Sequence, residues 1–233
     1  MSDLVEQLPL RMRQRDFARF ASFVPGANAE ALAALEARDG PRVVWLWGKT
    51  GSGKTHLLQA ACAAASDRGE PCSYIDVATI ATSAVLEGCD ALDIVCLDSV
   101  EAVSRSDDWN SALFRLYVAL QDHQGRLVVA SRAPAASVEF QLADLRSRLL
   151  AASIHHLQEL DEDNQREALR LRAAARGLEL SDEAALFLVH RVPRDMHTLF
   201  DVLERLDRAS LAAQRRLTIP FLKEQLEKVV SDQ

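Results

Sequence analysis

Two rhythms of apolar residues alternate along the first 160 positions of this chain. A short, almost wholly apolar run occurs at Arg42-Val43-Val44-Trp45-Leu46-Trp47, and further strand candidates lie at Cys72-Ser73-Tyr74-Ile75-Asp76 and at 91–97 around Ile94-Val95-Cys96-Leu97. Two more lie at 126–131, around Leu127-Val128-Val129-Ala130, and at 152–157. Runs of this length suit strands buried on both faces of a parallel sheet. Between them, helical spacing marks 29–38, 55–65 and 111–121, the last with Leu113, Leu116, Tyr117 and Leu120 on one face. Strands alternating with helices imply right-handed crossovers and a mostly parallel α/β sheet. Phe17, Phe20 and Phe23 also recur at helical spacing, before Pro25-Gly26 breaks the chain.

After Leu160 the strand rhythm stops. Asp161 can cap a helix running to Arg176, with Gly177 ending it. Ser181 can cap a second helix, broken at Val192-Pro193, and Asp195 a third reaching about Ala212; Pro220 suits the first turn of a last helix ending near Val230. The organisation expected is a tail at 1–16, an α/β domain at 17–160 and a small all-helical domain at 161–233.

Composition narrows the function. Apolar residues make up 48% of the chain and the net charge is -7, which argues against strong direct binding of duplex DNA. Cys62, Cys72, Cys89 and Cys96 show no metal-ligand spacing and read as buried thiols of a reducing compartment. No apolar stretch reaches membrane-spanning length, and the N-terminus lacks the basic and apolar regions of a signal peptide. A cytoplasmic protein with no membrane partner is expected.

The strongest chemical signal is Gly48-Lys49-Thr50-Gly51-Ser52-Gly53-Lys54-Thr55, which fits G-x-x-x-x-G-K-[ST] between a strand and a helix. Glycines let the backbone wrap phosphates, and the amides of the helix start point at the anion with the helix dipole behind them. Lys54 is expected to reach the β- and γ-phosphates, and Thr55 to ligate Mg²⁺. Asp98, ending the run Ile94-Val95-Cys96-Leu97, is where a P-loop protein holds that ion. The next residue is Ser99, which cannot polarise an attacking water, and the direction of Glu101 is open. Slow intrinsic hydrolysis is therefore expected. Ser131 ends another apolar run and would emerge near the γ-phosphate if its strand neighbours the P-loop strand. For Asp144-Leu145-Arg146-Ser147-Arg148-Leu149, spacing alone favours a solvated helix face over an arginine aimed at a neighbouring nucleotide.

Together these residues resemble the AAA+ family and, within it, the DnaA initiator group. The match narrows at Trp45-Leu46-Trp47 and at His56-Leu57-Leu58 on either side of the loop. Phe20-Ala21-Ser22-Phe23 with Pro25-Gly26 and Asn28, Thr198-Leu199-Phe200-Asp201, and Leu206-Asp207-Arg208-Ala209-Ser210 are similar to segments of its regulatory-inactivator branch. The resemblance covers nearly the whole chain. It implies a P-loop AAA+ core with a helical lid, and it ends where the lid ends, whereas DnaA carries a further DNA-binding domain. It also implies that Asp98 is the Walker-B acid, Ser131 the sensor-1 residue, and Arg148 an arginine finger acting in trans on ATP bound to DnaA. Phe23 and Val24 fall near the adenine pocket. His197 falls where the family's lid presents its sensor-2 arginine, with Arg194 a turn earlier as a partial substitute. Gln7-Leu8-Pro9-Leu10-Arg11-Met12 looks like the branch's clamp-binding motif, with Gln7, Leu8, Leu10 and Met12 as its contacts.

The function so implied is negative regulation of replication initiation. A nucleotide-bound adaptor, holding ADP or ATP with Mg²⁺, would link the sliding clamp to DnaA and stimulate DnaA's hydrolysis. The loss of a guanidinium contact at His197 is consistent with ADP. An autonomous AAA+ ATPase, such as a loader or remodeller, is the alternative. A DNA-binding initiator paralogue and a nucleotide-free module stand further behind, and self-association as a homodimer or AAA+ oligomer stays open.

Overall fold

The computed structural model of the chain describes residues 18–193, 195–213 and 215–231. Its strands are β1 (Val43–Trp47), β2 (Cys72–Asp76), β3 (Ile94–Asp98), β4 (Arg126–Ser131) and β5 (Ser153–His156). They form one sheet in the order β2-β3-β4-β1-β5, with every pairing parallel. Helices α1 (Ala29–Glu36), α2 (Lys54–Asp67), α3 (Asp107–Asp122) and α4 (Ala143–Leu150) cover its faces.

The three inner strands are apolar except for Asp98, Arg126 and Ser131 at their ends because both faces are covered, and strand alternation sorts their side chains into two cores. Val43, Trp45, Val95, Leu97, Leu127 and Val129 pack with Leu113, Leu116 and Leu120 of α3 and with Leu145 and Leu149 of α4. Val44, Leu46, Ile94, Cys96, Val128 and Ala130 pack on the other face with Leu57, Leu58 and Ala61 of α2 and Leu35 of α1.

Several elements differ from the sequence pattern for local reasons. The third strand starts at Ile94 because Cys89–Ala91 is a 3-10 turn, entered through Gly88 at φ 82°. The third helix starts four residues before the apolar pattern predicts. Buried Asn110 turns its amide back to donate to the carbonyls of Ser104 and Ser106, each at 2.7 Å, and Asp107 and Asp108 suit the helix dipole. The phenylalanine-spaced segment forms two short 3-10 turns, Phe20–Ser22 and Gly26–Asn28, in place of a regular helix. Phe17 lies outside the described residues. Among the cysteines, Cys89 and Cys96 are buried, but Cys62 and Cys72 are half-exposed. No helix among the described residues is long and apolar enough to cross a membrane.

Beyond the sheet, α5 (Glu162–Ala175), α6 (Asp182–Arg191), α7 (Met196–Ala213) and α8 (Ile219–Ser231) build a helical lid around their own apolar cluster. Leu169, Leu188, Leu199, Leu203, Phe221 and Leu222 are at its centre. The polar residues read as caps act as caps. Asp161, Ser181 and Asp195 accept the backbone N–H groups of Asn164, Ala184 and Thr198 at 2.9, 3.2 and 2.9 Å.

The Thr198 amide holds the Asp195 carboxyl below its ordinary range. A carboxylate depressed in the native state stabilises the fold above its unfolded pKa, and that stabilisation is lost as pH falls through the native value. Asp195→Ala is therefore expected to cost about 1 kcal/mol in neutral denaturant titrations. The gap to wild type should close in acid, and because wild type is the protein that loses stability there, its advantage over Asp195→Asn, whose cap does not titrate, should shrink over the same pH range.

Candidate nucleotide-binding site

The loop between β1 and α2 wraps tightly enough to require glycine at two points. Gly53 sits at φ 97°, and a Cβ there would lie 2.7 Å from Cε2 of Phe23. A Cβ on Gly48 would lie 2.4 Å from the carbonyl oxygen of Leu157. The loop thus delivers the N-terminus of α2, with Lys54 and Thr55 in its first turn, to one mouth at the C-terminal edge of the sheet. In open α/β sheets this is the edge that holds ligands.

A cleft of about 420 Å³ opens there, lined by Thr50, Gly51, Gly53, Lys54, Thr55 and His56 from the loop and its helix. Asp98, Ser99, Glu101, Ser131 and Arg132 line it from the strand ends, and Arg172, Met196, His197 and Phe200 from the lid. Four positions read from the sequence, Lys54, Thr55, Asp98 and Ser131, therefore meet in one place. Trp47 pairs with Ser131 across β1 and β4, which is the neighbouring-strand arrangement on which the reading of Ser131 depended.

The polar contacts are specific. Thr55 Oγ1 donates to Asp98 Oδ2 at 2.6 Å, the Tyr74 hydroxyl donates to the same oxygen at 3.1 Å, and the Ser99 amide donates to Asp98 Oδ1 at 2.9 Å. Asp98 is 5% exposed, and burial, followed by this carboxylate, pushes the Tyr74 phenol well above its ordinary value. Lys54 Nζ donates to the carbonyls of Gly48 and Lys49 at 2.6 and 2.7 Å. Burial lowers the Lys54 pKa, and the charges of Asp98 and Glu101 pull it back up. The Ser131 hydroxyl donates to the carbonyl of Ala133. Lys49 reaches out to Glu159 at 2.9 Å, and Ser52 is buried with its Oγ lacking a hydrogen-bond partner. A glycine-built loop at the head of α2 with the Lys54 ammonium beside it suits phosphate. The Thr55 hydroxyl beside the Asp98 carboxylate offers the oxygen donors a hard cation such as Mg²⁺ takes.

Other expected positions fall differently. Phe23 packs on Gly53 and at 5.5 Å from the His56 ring, while Val24 is buried in the lid cluster; neither lines the cleft. His197 does line it, largely exposed, with Nε2 3.3 Å from Asp201 Oδ2. Arg194, Gln7, Leu8, Leu10 and Met12 lie outside the described residues. Arg148 stands apart, exposed on α4, its guanidinium 5.5 and 5.4 Å from the ring centres of Phe114 and Tyr117 on α3. Sequence reasoning did not single out Tyr74, Arg132 or Arg172. Arg172 reaches the cleft from α5 with its guanidinium 5.3 Å over the Phe200 ring, a placement set by lid docking that leaves no local signal.

A parallel sheet of order 2-3-4-1-5, a glycine-built loop on the inner strand β1, an aspartate on the strand two places away and a helical lid over both define a P-loop nucleotide-binding protein of the AAA+ class. Residues 14–155 match the family model of the bacterial DnaA ATPase domain, and residues 161–226 match that of the Hda lid domain. The chain belongs to the bacterial DnaA ATPase-domain family.

Solved structures agree on the fold. Domain III of the Thermotoga maritima replication initiation protein DnaA superposes with a TM-score of 0.76 at 20% identity, over 91% of this chain and 96% of that one. The replication initiator DnaA bound to AMPPCP and single-stranded DNA gives 0.69 at 21% identity over 82% of this chain, which spans 64% of that protein's length. The Thermotoga maritima RuvB Holliday junction branch migration motor gives 0.62 at 18% identity over 85% of this chain and 67% of its own.

Proposed function

We propose that this chain is a nucleotide-bound adaptor that restrains replication initiation, joining the sliding clamp to DnaA and stimulating DnaA's ATP hydrolysis through Arg148. The observation that carries the reading is the position of Arg148: exposed on α4 and outside the chain's own cleft. An arginine so placed is free to complete a site on another molecule, where a guanidinium stabilises the charge of phosphoryl transfer. The DnaA-type core and the Hda-type lid make an initiator the fitting partner.

The chain's own cleft holds ADP or ATP in this reading. The loop amides and Lys54 take the phosphates, and Thr55 and Asp98 hold Mg²⁺, which neutralises phosphate charge when bound. His197 and Arg194 serve as the lid's contacts, and His197, an imidazole in place of a guanidinium, favours ADP. Phe23 backs the loop at Gly53. The net charge of -7 supports docking through the clamp over direct attachment to DNA.

The clamp contact falls to Gln7, Leu8, Leu10 and Met12, where alternate apolar side chains would enter a hydrophobic groove and the glutamine adds a directional hydrogen bond. The double variant L8A/L10A is expected to lose capture by immobilised clamp, at about 2 kcal/mol or more for two buried leucines. Undiminished capture would remove the tail from the account. A homodimer or AAA+ oligomer is the competing use of Arg148, and sedimentation of R148A against wild type separates the two.

A further inference from the structure

The residue after the Walker-B aspartate is a serine, yet the structure does not leave the cleft without a second carboxylate. Ser99 adopts the left-handed region at φ 61°, one of two non-glycine residues among those described with positive φ. Its amide is tied to Asp98 Oδ1, and it opens the 3-10 turn Val100–Ala102, closed by the Ala102 amide donating to the Ser99 carbonyl at 3.0 Å. Val100, 1% exposed, anchors the turn in the core, and the Ser104 hydroxyl donates to the Glu101 carbonyl at 3.0 Å. The chain therefore folds back, and Glu101 enters the cleft beside Lys54, Asp98 and Ser131. Backbone held in a sparsely populated region at a ligand cleft is a pointer toward function.

The two oxygens of Glu101 are used differently. Oε1 accepts the backbone N–H of Arg132 at 3.1 Å and faces its guanidinium Nε at 3.5 Å. Oε2 is buried and has no hydrogen-bond partner in the protein. A desolvated carboxylate oxygen without a donor is costly, and a water molecule is the donor a phosphoryl-transfer site supplies. Arg132 directly follows Ser131, so the end of β4 fixes Oε1 and supplies no donor to Oε2.

From this geometry we infer that Glu101 is the water-activating carboxylate of this chain's own site, supplied three residues beyond Asp98 in place of the residue next to it. Oε2 accepts a proton from water as the water oxygen bonds to the γ-phosphorus. The bond from that phosphorus to the β,γ-bridging oxygen breaks, its electron pair stays with ADP, and the proton passes from Glu101 to the departing phosphate. ATP and water become ADP and inorganic phosphate, and the chain reaches its ADP-bound state by its own turnover. The assignment rests on the nucleotide-binding reading above.

The test is E101Q in the full chain, because glutamine keeps an oxygen for the Arg132 amide and removes only the basic group. Single-turnover hydrolysis of ATP in the presence of Mg²⁺ should fall by about 10²-fold, while mant-ATP binds with wild-type affinity. Nucleotide released by denaturing the purified proteins should be ADP from wild type and ATP from E101Q. E101D, which keeps the charge but retracts it, should be impaired as well. Wild-type protein that binds mant-ATP and never hydrolyses it, or E101Q that hydrolyses at the wild-type rate, overturns the role of Glu101 and leaves nucleotide binding intact. No mant-ATP binding by wild type overturns the nucleotide reading itself, and this assignment with it.

Discussion

Arg148→Ala is expected to abolish the stimulation of DnaA's ATP hydrolysis, lowering the stimulated rate by about 10³-fold, the lower end of what an arginine finger contributes. The chain itself should be unharmed. Arg148 is exposed, and its contacts with the Phe114 and Tyr117 rings are surface cation–π interactions worth about 0.5–1 kcal/mol. Clamp capture and ADP binding should therefore match wild type, which separates a lost finger from a lost fold. Arg148→Lys should rescue little, since an ammonium cannot present the planar, forked donors that a transferring phosphoryl group meets. A stimulated rate in R148A equal to wild type would remove this arginine from the mechanism.

Lys54→Ala is expected to weaken ADP and ATP binding by about 10²-fold, which corresponds to about 3 kcal/mol. In the structure the ammonium is satisfied by the Gly48 and Lys49 carbonyls, and burial already disfavours its charge. Phosphate oxygens at the same loop would replace those carbonyls and favour the charged form, so the lysine is matched to an anion. Wild-type protein at an ADP concentration of 100 times Kd should gain about 2.7 kcal/mol of stability, read as a rise in melting temperature. K54A at that ADP concentration should show little of the rise. A full rise in K54A would mean that the loop does not hold the phosphates.

Legibility in the sequence followed the range of the interaction. The inner strands could be read around Val43 to Trp47 and Ile94 to Leu97, though not to their exact ends, because burial on both faces writes an unbroken apolar run. The loop from Gly48 to Thr55 could be read because phosphate wrapping constrains consecutive residues. The caps Asp161, Ser181 and Asp195 could be read because each acts three residues away.

Glu101 was not legible. Its entry into the cleft depends on a positive φ at Ser99, a residue type that does not announce one. Arg172 and Tyr74 reach the site through lid docking and strand pairing, which have no local pattern. The start of α3 was obscured because a buried amide, Asn110, sits where an apolar residue is expected. The placement of Val24 turned on whether the lid or the sheet claims it, and the lid does.

The central claim is that this chain drives an initiator from its ATP to its ADP form. The direct measurement is the time course of ATP hydrolysis on DnaA with the full chain, ADP and DNA-loaded sliding clamp, each omitted in turn. Fast conversion is expected when all three are present and near-basal hydrolysis when the chain or the clamp is withheld. Conversion at the basal rate with every component present would contradict the claim, and would leave a DnaA-family ATPase core with another partner.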